Sequence, residues 1–189
     1  MTSLGNGLSA AQHHKDALSV REAELSMRRR LGDSESNILI SQSNLATTYA
    51  KMGRVEQVLQ MDRDVYYGRL KLNGEEHKRT ITAVTCYANS LNALQRFEEA
   101  KALLNKSLPV ARRVLGESHH LTLYMQLNNA RALYMNTDAT LDDLREAVTT
   151  LEDAERTSRR VLGGAHPLTK NIERSLKVAR FTLASFTAP

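Results

Sequence analysis

Four short stretches built around a glycine decide how this chain folds. Leu162–Thr169 reads Leu-Gly-Gly-Ala-His-Pro-Leu-Thr, and Leu115–Thr122 reads Leu-Gly-Glu-Ser-His-His-Leu-Thr. Asn73–Thr80 keeps the Gly, His and Thr, whereas Leu31–Glu35 keeps only the Leu-Gly pair. The four glycines are 42, 42 and 47 residues apart, at Gly32, Gly74, Gly116 and Gly163. A fixed spacing of this length indicates a protein built from structural repeats.

The same register continues between the glycines. Three alanines each follow their glycine by 14 residues: Ala46, Ala88 and Ala130. The stretch Gly53–Val58 matches Gln95–Ala100, but the third copy, Leu144–Ala147, is displaced by five residues. One local insertion restores the register, and we predict that it is a lengthened polar turn at Asn136–Asp142.

Each repeat is predicted to be a pair of α-helices, because its apolar residues recur at helical spacing. A glycine follows each second helix, where a positive φ is needed, and Arg29-Arg30, Arg112-Arg113 and Arg159-Arg160 precede three of the glycines. His166 before Pro167 is expected to cap the next helix. The predicted helices are 9–31, 37–52, 55–72, 78–94, 97–115, 120–135, 142–162 and about 167–186. We therefore expect a flexible segment at 1–8 and a single helical-repeat domain at 9–189.

The composition is that of an ordinary globular chain of 189 residues, with 41% hydrophobic and 25% charged residues. No stretch approaches the roughly 18 apolar residues that a membrane span requires. The first residues lack the pattern of a secretory leader. The single cysteine, Cys86, excludes an internal disulfide framework and favours a reducing compartment, so we expect a cytoplasmic location.

The motifs identify a family resemblance. Leu162–Thr169, Asn44–Tyr49 (Asn-Leu-Ala-Thr-Thr-Tyr) and Phe97–Ala100 (Phe-Glu-Glu-Ala) resemble the 42-residue tetratricopeptide repeats of the kinesin light chain type, over roughly residues 17 to 180. The resemblance implies an all-α, right-handed superhelix of about three helix pairs plus opening and closing helices. It also implies a concave groove, lined by the first helices, that holds an extended or helical peptide.

The resemblance assigns residues to that groove by position. They are Ile40, Ser43, Thr47, Ala50 and Lys51 in the first repeat, Thr82, Thr85, Asn89, Asn92 and Ala93 in the second, and Tyr124, Leu127, Arg131, Tyr134 and Met135 in the third. Some family members hold a terminal carboxylate with paired Asn and Lys side chains, but Thr47 stands where that arrangement has Asn. We expect a protein or peptide partner, of acidic character because of Arg131 and the net charge of +5.

No residue pattern indicates catalysis. Equivalent histidines of stacked repeats, here His77, His119 and His166, would be about 10 Å apart, too far to share one metal ion, so loop and cap roles are expected. We interpret Cys86 as a buried structural thiol, since no partner base is indicated. The sequence therefore predicts no enzyme, no cofactor and no metal site.

Three alternatives stay open at this level. The arginine pairs either compensate helix dipoles or contact an acidic protein; nucleic acid is disfavoured because no aromatic residues interleave with them. The chain is either a peptide-binding module, a permanent subunit of a larger assembly or a self-associating repeat protein. Its oligomeric state does not follow from the sequence.

Overall fold

The computed structural model describes residues 14–187, which form eight α-helices and no strand. The helices are α1 (His14–Arg30), α2 (Glu35–Lys51), α3 (Val55–Asn73), α4 (Lys78–Ala93), α5 (Phe97–Leu115), α6 (His120–Tyr134), α7 (Leu141–Leu162) and α8 (Pro167–Thr187). The expected flexible segment 1–8 lies outside the described residues, as do positions 9–13 of the predicted opening helix. The all-α repeat fold is confirmed, and the helix ends within residues 14–187 agree with the predicted ones to within two residues.

The repeat glycines end helices in the conformation expected of them. Gly74, Gly116 and Gly163 have φ values of 77°, 89° and 87°, and each follows a helix directly. The N–H of each donates to the carbonyl four residues earlier. An L side chain disfavours this region of φ, so glycine is the residue that lets three helices stop at the same place in the repeat.

The recurring histidines begin helices. The ring nitrogen Nδ1 of His77 accepts a hydrogen bond from the N–H of Arg79 at 3.1 Å. His119 and His166 accept in the same way from Leu121 and Leu168, at 3.2 and 3.1 Å. These bonds satisfy N–H groups that have no partner inside the helix. The expected cap role of the histidines is confirmed.

The five surplus residues of the third repeat are distributed differently from the prediction. The connection between α6 and α7 has six residues, against three between α4 and α5, so it takes up only three of them. Helix α7 has 22 residues where α5 has 19, and α6 is one residue shorter than α4. The periodic pattern missed this division because the residues added to α7 keep its helical spacing.

The described chain divides into two compact units, one ending at Ser90 and the other starting at Leu91. In unit 1, α1 packs on α2 and α2 packs on α3. Leu18, Leu25, Leu45 and Tyr49 form a buried cluster there. The rings of Tyr66 on α3 and Tyr87 on α4 are stacked at 5.9 Å, which joins the start of the second repeat to the first. The single domain at 9–189 stays a prediction.

In unit 2, α6 lies against α5, α7 and α8. Its buried side chains join those of α7 and α8 in one apolar cluster, which includes the fully buried Leu127, Leu151 and Ile172. The last three helices therefore share a core. This arrangement explains why 11 of the 15 residues of α6 are buried.

Candidate functional site

A pocket of about 410 Å³ opens between α2, α3 and α4 of unit 1. Its polar lining includes charged groups from two helices, and its apolar lining includes Ile40 and Ala50 of α2 and Val65 of α3. Ile40 is 40% exposed although it is a large apolar residue. A concave surface that joins exposed apolar groups to a few polar groups is the common form of a ligand site.

Two guanidinium groups meet at one end of this pocket. Arg69 of α3 donates from Nη1 to the hydroxyl of Ser36 at 3.0 Å and from Nη2 to the Ser36 carbonyl at 3.1 Å. Arg79 of α4 donates from Nη1 to the same hydroxyl at 3.1 Å. Burial lowers the pKa of Arg69, and the charge of Arg79 lowers it further. Both side chains line the pocket, so this end is strongly positive.

A carboxylate lines the same pocket. Asp62 of α3 is buried, and the hydroxyl of Ser90 on α4 donates to its Oδ2 at 2.5 Å. Burial raises the pKa of Asp62, and the Ser90 hydrogen bond partly opposes that shift. Asp62 forms no ion pair within residues 14–187, so its negative charge is not neutralised by the protein.

Cys86 differs from the expectation of a buried thiol. The residue is exposed and lines the pocket. Surrounding protein atoms nonetheless remove enough water to raise the pKa of the thiol to about 11, and the nearby Asp62 adds to the shift. The two observations agree if the thiol lies in a concave surface, where a solvent molecule reaches it but bulk water does not surround it. The helical pattern missed this because position 86 follows the buried Thr85 and Ala83 closely.

The predicted groove residues of unit 1 are placed differently from one another. Asn89 is exposed and lines the pocket. Lys51 is exposed at the last position of α2 and is not among the lining residues. Thr85 is buried, and its hydroxyl donates to the Ile81 carbonyl at 2.8 Å. Of these three only Asn89 lines the pocket, and it does so with five other residues predicted for the groove: Ile40, Ser43, Thr47, Ala50 and Thr82.

The predicted groove residues of unit 2 are mostly covered. Leu127 has no exposed surface and Tyr134 is 7% exposed, and both belong to the apolar cluster of α6, α7 and α8. Tyr124 is half-buried against that cluster. Asn92 donates from Nδ2 to the Asn128 carbonyl at 2.8 Å, and Arg131 donates from Nε to Ser175 at 3.4 Å. Leu127 and Tyr134 are thus core residues, because α7 and α8 both pack on α6.

Sequence reasoning missed the charged residues of the pocket. Asp62 and Arg69 occupy the same stripe of α3 as Val58 and Val65, with spacings of three and four residues. Charged side chains on an otherwise apolar stripe are unusual, since burying them is costly without partners. The charged residues Asp62 and Arg69 on the stripe of Val58 and Val65 could therefore have indicated a polar site from the sequence.

Metal-binding and membrane-spanning features can be addressed for residues 14–187. This part of the chain contains no group of three or more His, Cys, Asp or Glu side chains that could hold a metal ion. None of its helices is both long and apolar enough to cross a bilayer.

The arginine pairs lie in the last turns of their helices, and Arg112 forms an ion pair with Glu117 at 3.1 Å.

Comparison with known proteins identifies the repeats. A tetratricopeptide repeat family model matches residues 38–78 and 80–121. No curated protein sequence matches the chain. The chain resembles solved structures from two organisms over nearly its whole length. The resemblance to tetratricopeptide repeat proteins of the kinesin light chain type is therefore confirmed.

Three solved structures illustrate the resemblance. A variant of a kinesin light chain-type protein with nearly identical TPR-like repeats, from Podosopora anserina, has a TM-score of 0.80 at 22% identity, covering 97% of this chain and 84% of that chain. A second structure of this type from the same organism has a TM-score of 0.71 at 20% identity, covering 99% and 95%. BtubC (BKLC) from P. vanneervenii has 0.65 at 15% identity, covering 100% and 80%. At these identities the likeness shows the fold.

Proposed function

We propose that this chain is a cytoplasmic protein-interaction module, without catalytic activity, that binds a peptide segment of a partner protein in the unit 1 pocket. The observation that carries the proposal is the pocket itself, which combines exposed apolar side chains with charges that the protein leaves unneutralised. Repeats of this family commonly mediate contacts between proteins, which supports the same conclusion.

The residues proposed to contact the partner follow from exposure. Asn89 is the central one, because it lines the pocket and its side chain is exposed. Lys51, Asn92, Tyr124 and Arg131 do not line this pocket, and a partner contact by each of them stays a separate prediction. We leave Thr85, Leu127 and Tyr134 out, since buried side chains have no surface to offer a partner.

A display selection of random peptides on the purified 189-residue chain tests this function. Asn89→Trp places a bulky ring at the pocket, and we expect it to weaken binding of an enriched peptide at least tenfold. Asn105→Trp is the matched control, because Asn105 is exposed on α5 and does not line the pocket. Circular dichroism verifies that both variants stay helical. Enrichment of no peptide, or equal binding by Asn89→Trp, would count against the pocket and favour a permanent subunit.

A second candidate, self-association, is supported by the outer face of α8. This helix exposes Phe181 at 73%, Phe186 at 56% and Val178 at 46%, together with charged residues such as Lys170 and Lys177. Phe181→Glu should abolish any concentration dependence of the mass measured by analytical ultracentrifugation. A mass that is monomeric at every concentration would remove this candidate.

A further inference from the structure

The unit 1 pocket carries charges of both signs, from Arg69, Arg79 and Asp62, that form no ion pair within residues 14–187. Arg69 is only 4% exposed, yet its hydrogen bonds go to the hydroxyl and carbonyl of Ser36, which are neutral groups. Arg79 shares that hydroxyl. Within residues 14–187, neither guanidinium forms an ion pair. Two adjacent cations without a counter-charge repel each other, so an anionic group beside them would be stabilised.

The carboxylate of Asp62 likewise has no oppositely charged partner among the described residues. The hydroxyl of Ser90 donates a hydrogen bond to Oδ2 of Asp62, and Oδ1 has no hydrogen-bond donor among the described residues. A buried carboxylate with one satisfied oxygen is costly to keep ionised. A cationic or strongly donating group from a ligand would remove that cost.

The distance between the two charged positions follows from the helix that bears them. Asp62 and Arg69 are both on α3, seven residues apart, and both line the pocket. Seven residues are nearly two turns, so the side chains share a face with their Cα atoms about 10 Å apart. An extended polyproline II segment returns to the same face every three residues and advances about 9 Å in doing so. The two spacings agree.

We propose that the pocket selects an extended segment of a partner protein in which an acidic and a basic side chain are three residues apart. The acidic side chain lies at Arg69 and Arg79, and the basic side chain lies at Asp62. This inference rests on the proposed function, because it names the chemistry of the peptide that the same pocket binds. It accounts for charged groups that form no ion pair within residues 14–187 in a pocket wall that also contains apolar side chains.

The test compares peptides enriched by the wild-type chain with those enriched by two charge variants. Arg79→Glu changes an exposed residue, and the acidic residue of the enriched peptides should be replaced by a neutral or basic one. Asp62→Asn keeps an acceptor for Ser90, and it should remove the basic preference alone. Arg63→Glu is the matched control, since Arg63 is also on α3 but is outside the pocket lining.

The affinity of one synthetic consensus peptide supplies a second readout. Arg79→Glu should weaken its binding by about tenfold or more, because it replaces an attractive charge by a repulsive one. Arg63→Glu should leave the affinity within about twofold of the wild-type value.

The inference is overturned if peptides enrich and depend on Asn89 but carry no such charge pair, or if Arg79→Glu leaves the affinity unchanged. Failure of the proposed function is distinct, since then no enriched peptide depends on Asn89. If Asp62→Asn fails to fold, the Arg79 variant still decides.

Discussion

Individual side chains of α3 show how a residue can belong to a helix pattern and yet not to the core. Val58, Asp62, Val65 and Arg69 share one stripe of the helix. Apolar members of that stripe need only be covered, whereas Asp62 and Arg69 need partners for their charges. The uncharged Ser90 donates a hydrogen bond to Asp62, and the uncharged Ser36 accepts one from Arg69. The two residues of α3 that contribute charge to the candidate site are therefore those that interrupt its apolar pattern.

Cys86 gives a direct test of the pocket environment, since it is the one cysteine of the chain. With a pKa of about 11, the thiol is almost entirely protonated at pH 8. We expect iodoacetamide to modify it about ten to a hundred times more slowly than N-acetylcysteine at that pH. The rate should rise about tenfold per pH unit and level off only near pH 11.

Asp62→Asn checks the smaller contribution to the raised pKa of Cys86, since burial is the larger one. Removal of the neighbouring carboxylate should lower the pKa of Cys86, so the whole rate profile should move to lower pH. A profile that levels off near pH 8 or 9 in the wild-type chain would show that the thiol is solvated like a free cysteine.

Gln95 has a φ of 57°, in the left-handed region that disfavours L side chains. Its counterpart one repeat earlier, Gly53, has a φ of 71°. Gln95→Gly should therefore stabilise the chain by up to about 1 kcal/mol, because relief of backbone strain exceeds the added entropy of the unfolded chain. Urea unfolding measures the change. Gln60→Gly, in the middle of α3, should instead destabilise it by about 1 kcal/mol, and a loss of stability in Gln95→Gly would contradict the strain argument.

Equivalent helices of the repeats have different surroundings, and this difference decides which of them can hold a site. Helix α2 buries 7 of its 17 residues, so one of its faces stays open and forms a wall of the pocket. Helix α6 buries 11 of 15, because α8 packs on it in addition to α5 and α7. The register of the repeat is the same in both helices, but only α2 offers an accessible face of that kind.

Helices α5 and α7 are linked by an ion pair that makes unit 2 sensitive to acid. Lys101 donates to Asp143 at 2.6 Å, and Asp143 also belongs to the capping box of Thr140. These bonds lower the pKa of Asp143 to about 2. Because the folded value lies below the roughly 3.9 of an unfolded chain, the stabilisation is complete above about pH 4 and is lost as the pH falls towards 2.

Asp143→Asn should cost about 1–2 kcal/mol at pH 7, after allowance for partial solvent screening, and much less at pH 2. Denaturant unfolding at several pH values measures both. Asp142→Asn is the matched control, since its side chain is 91% exposed, and it should change stability by less than about 0.5 kcal/mol. An equal cost for Asp143→Asn at pH 7 and pH 2 would show that the carboxylate charge does not contribute.

At the scale of the whole molecule, stability is distributed unevenly along unit 2. Helix α6 is covered by three neighbours, whereas residues 184–187 at the end of α8 are exposed. Local opening requires less free energy where few buried contacts are lost. We expect amide hydrogen exchange, followed by mass spectrometry, to be slowest in α6 and fastest in the last turn of α8. Equal protection of the two segments would imply that unit 2 opens only as a whole.

The sequence by itself determined the helical repeat, its register and nearly every helix end within the described residues, because these depend on local interactions. Glycine at positive φ, histidine at the helix start and apolar spacing act within a few residues of one another. Which faces stay open was decided only by tertiary structure. Leu127 and Tyr134 are covered because α8 packs on α6, Cys86 is exposed because it borders a pocket, and Arg69 meets Arg79 through contacts between helices. Such contacts join residues distant in sequence, so no local pattern records them.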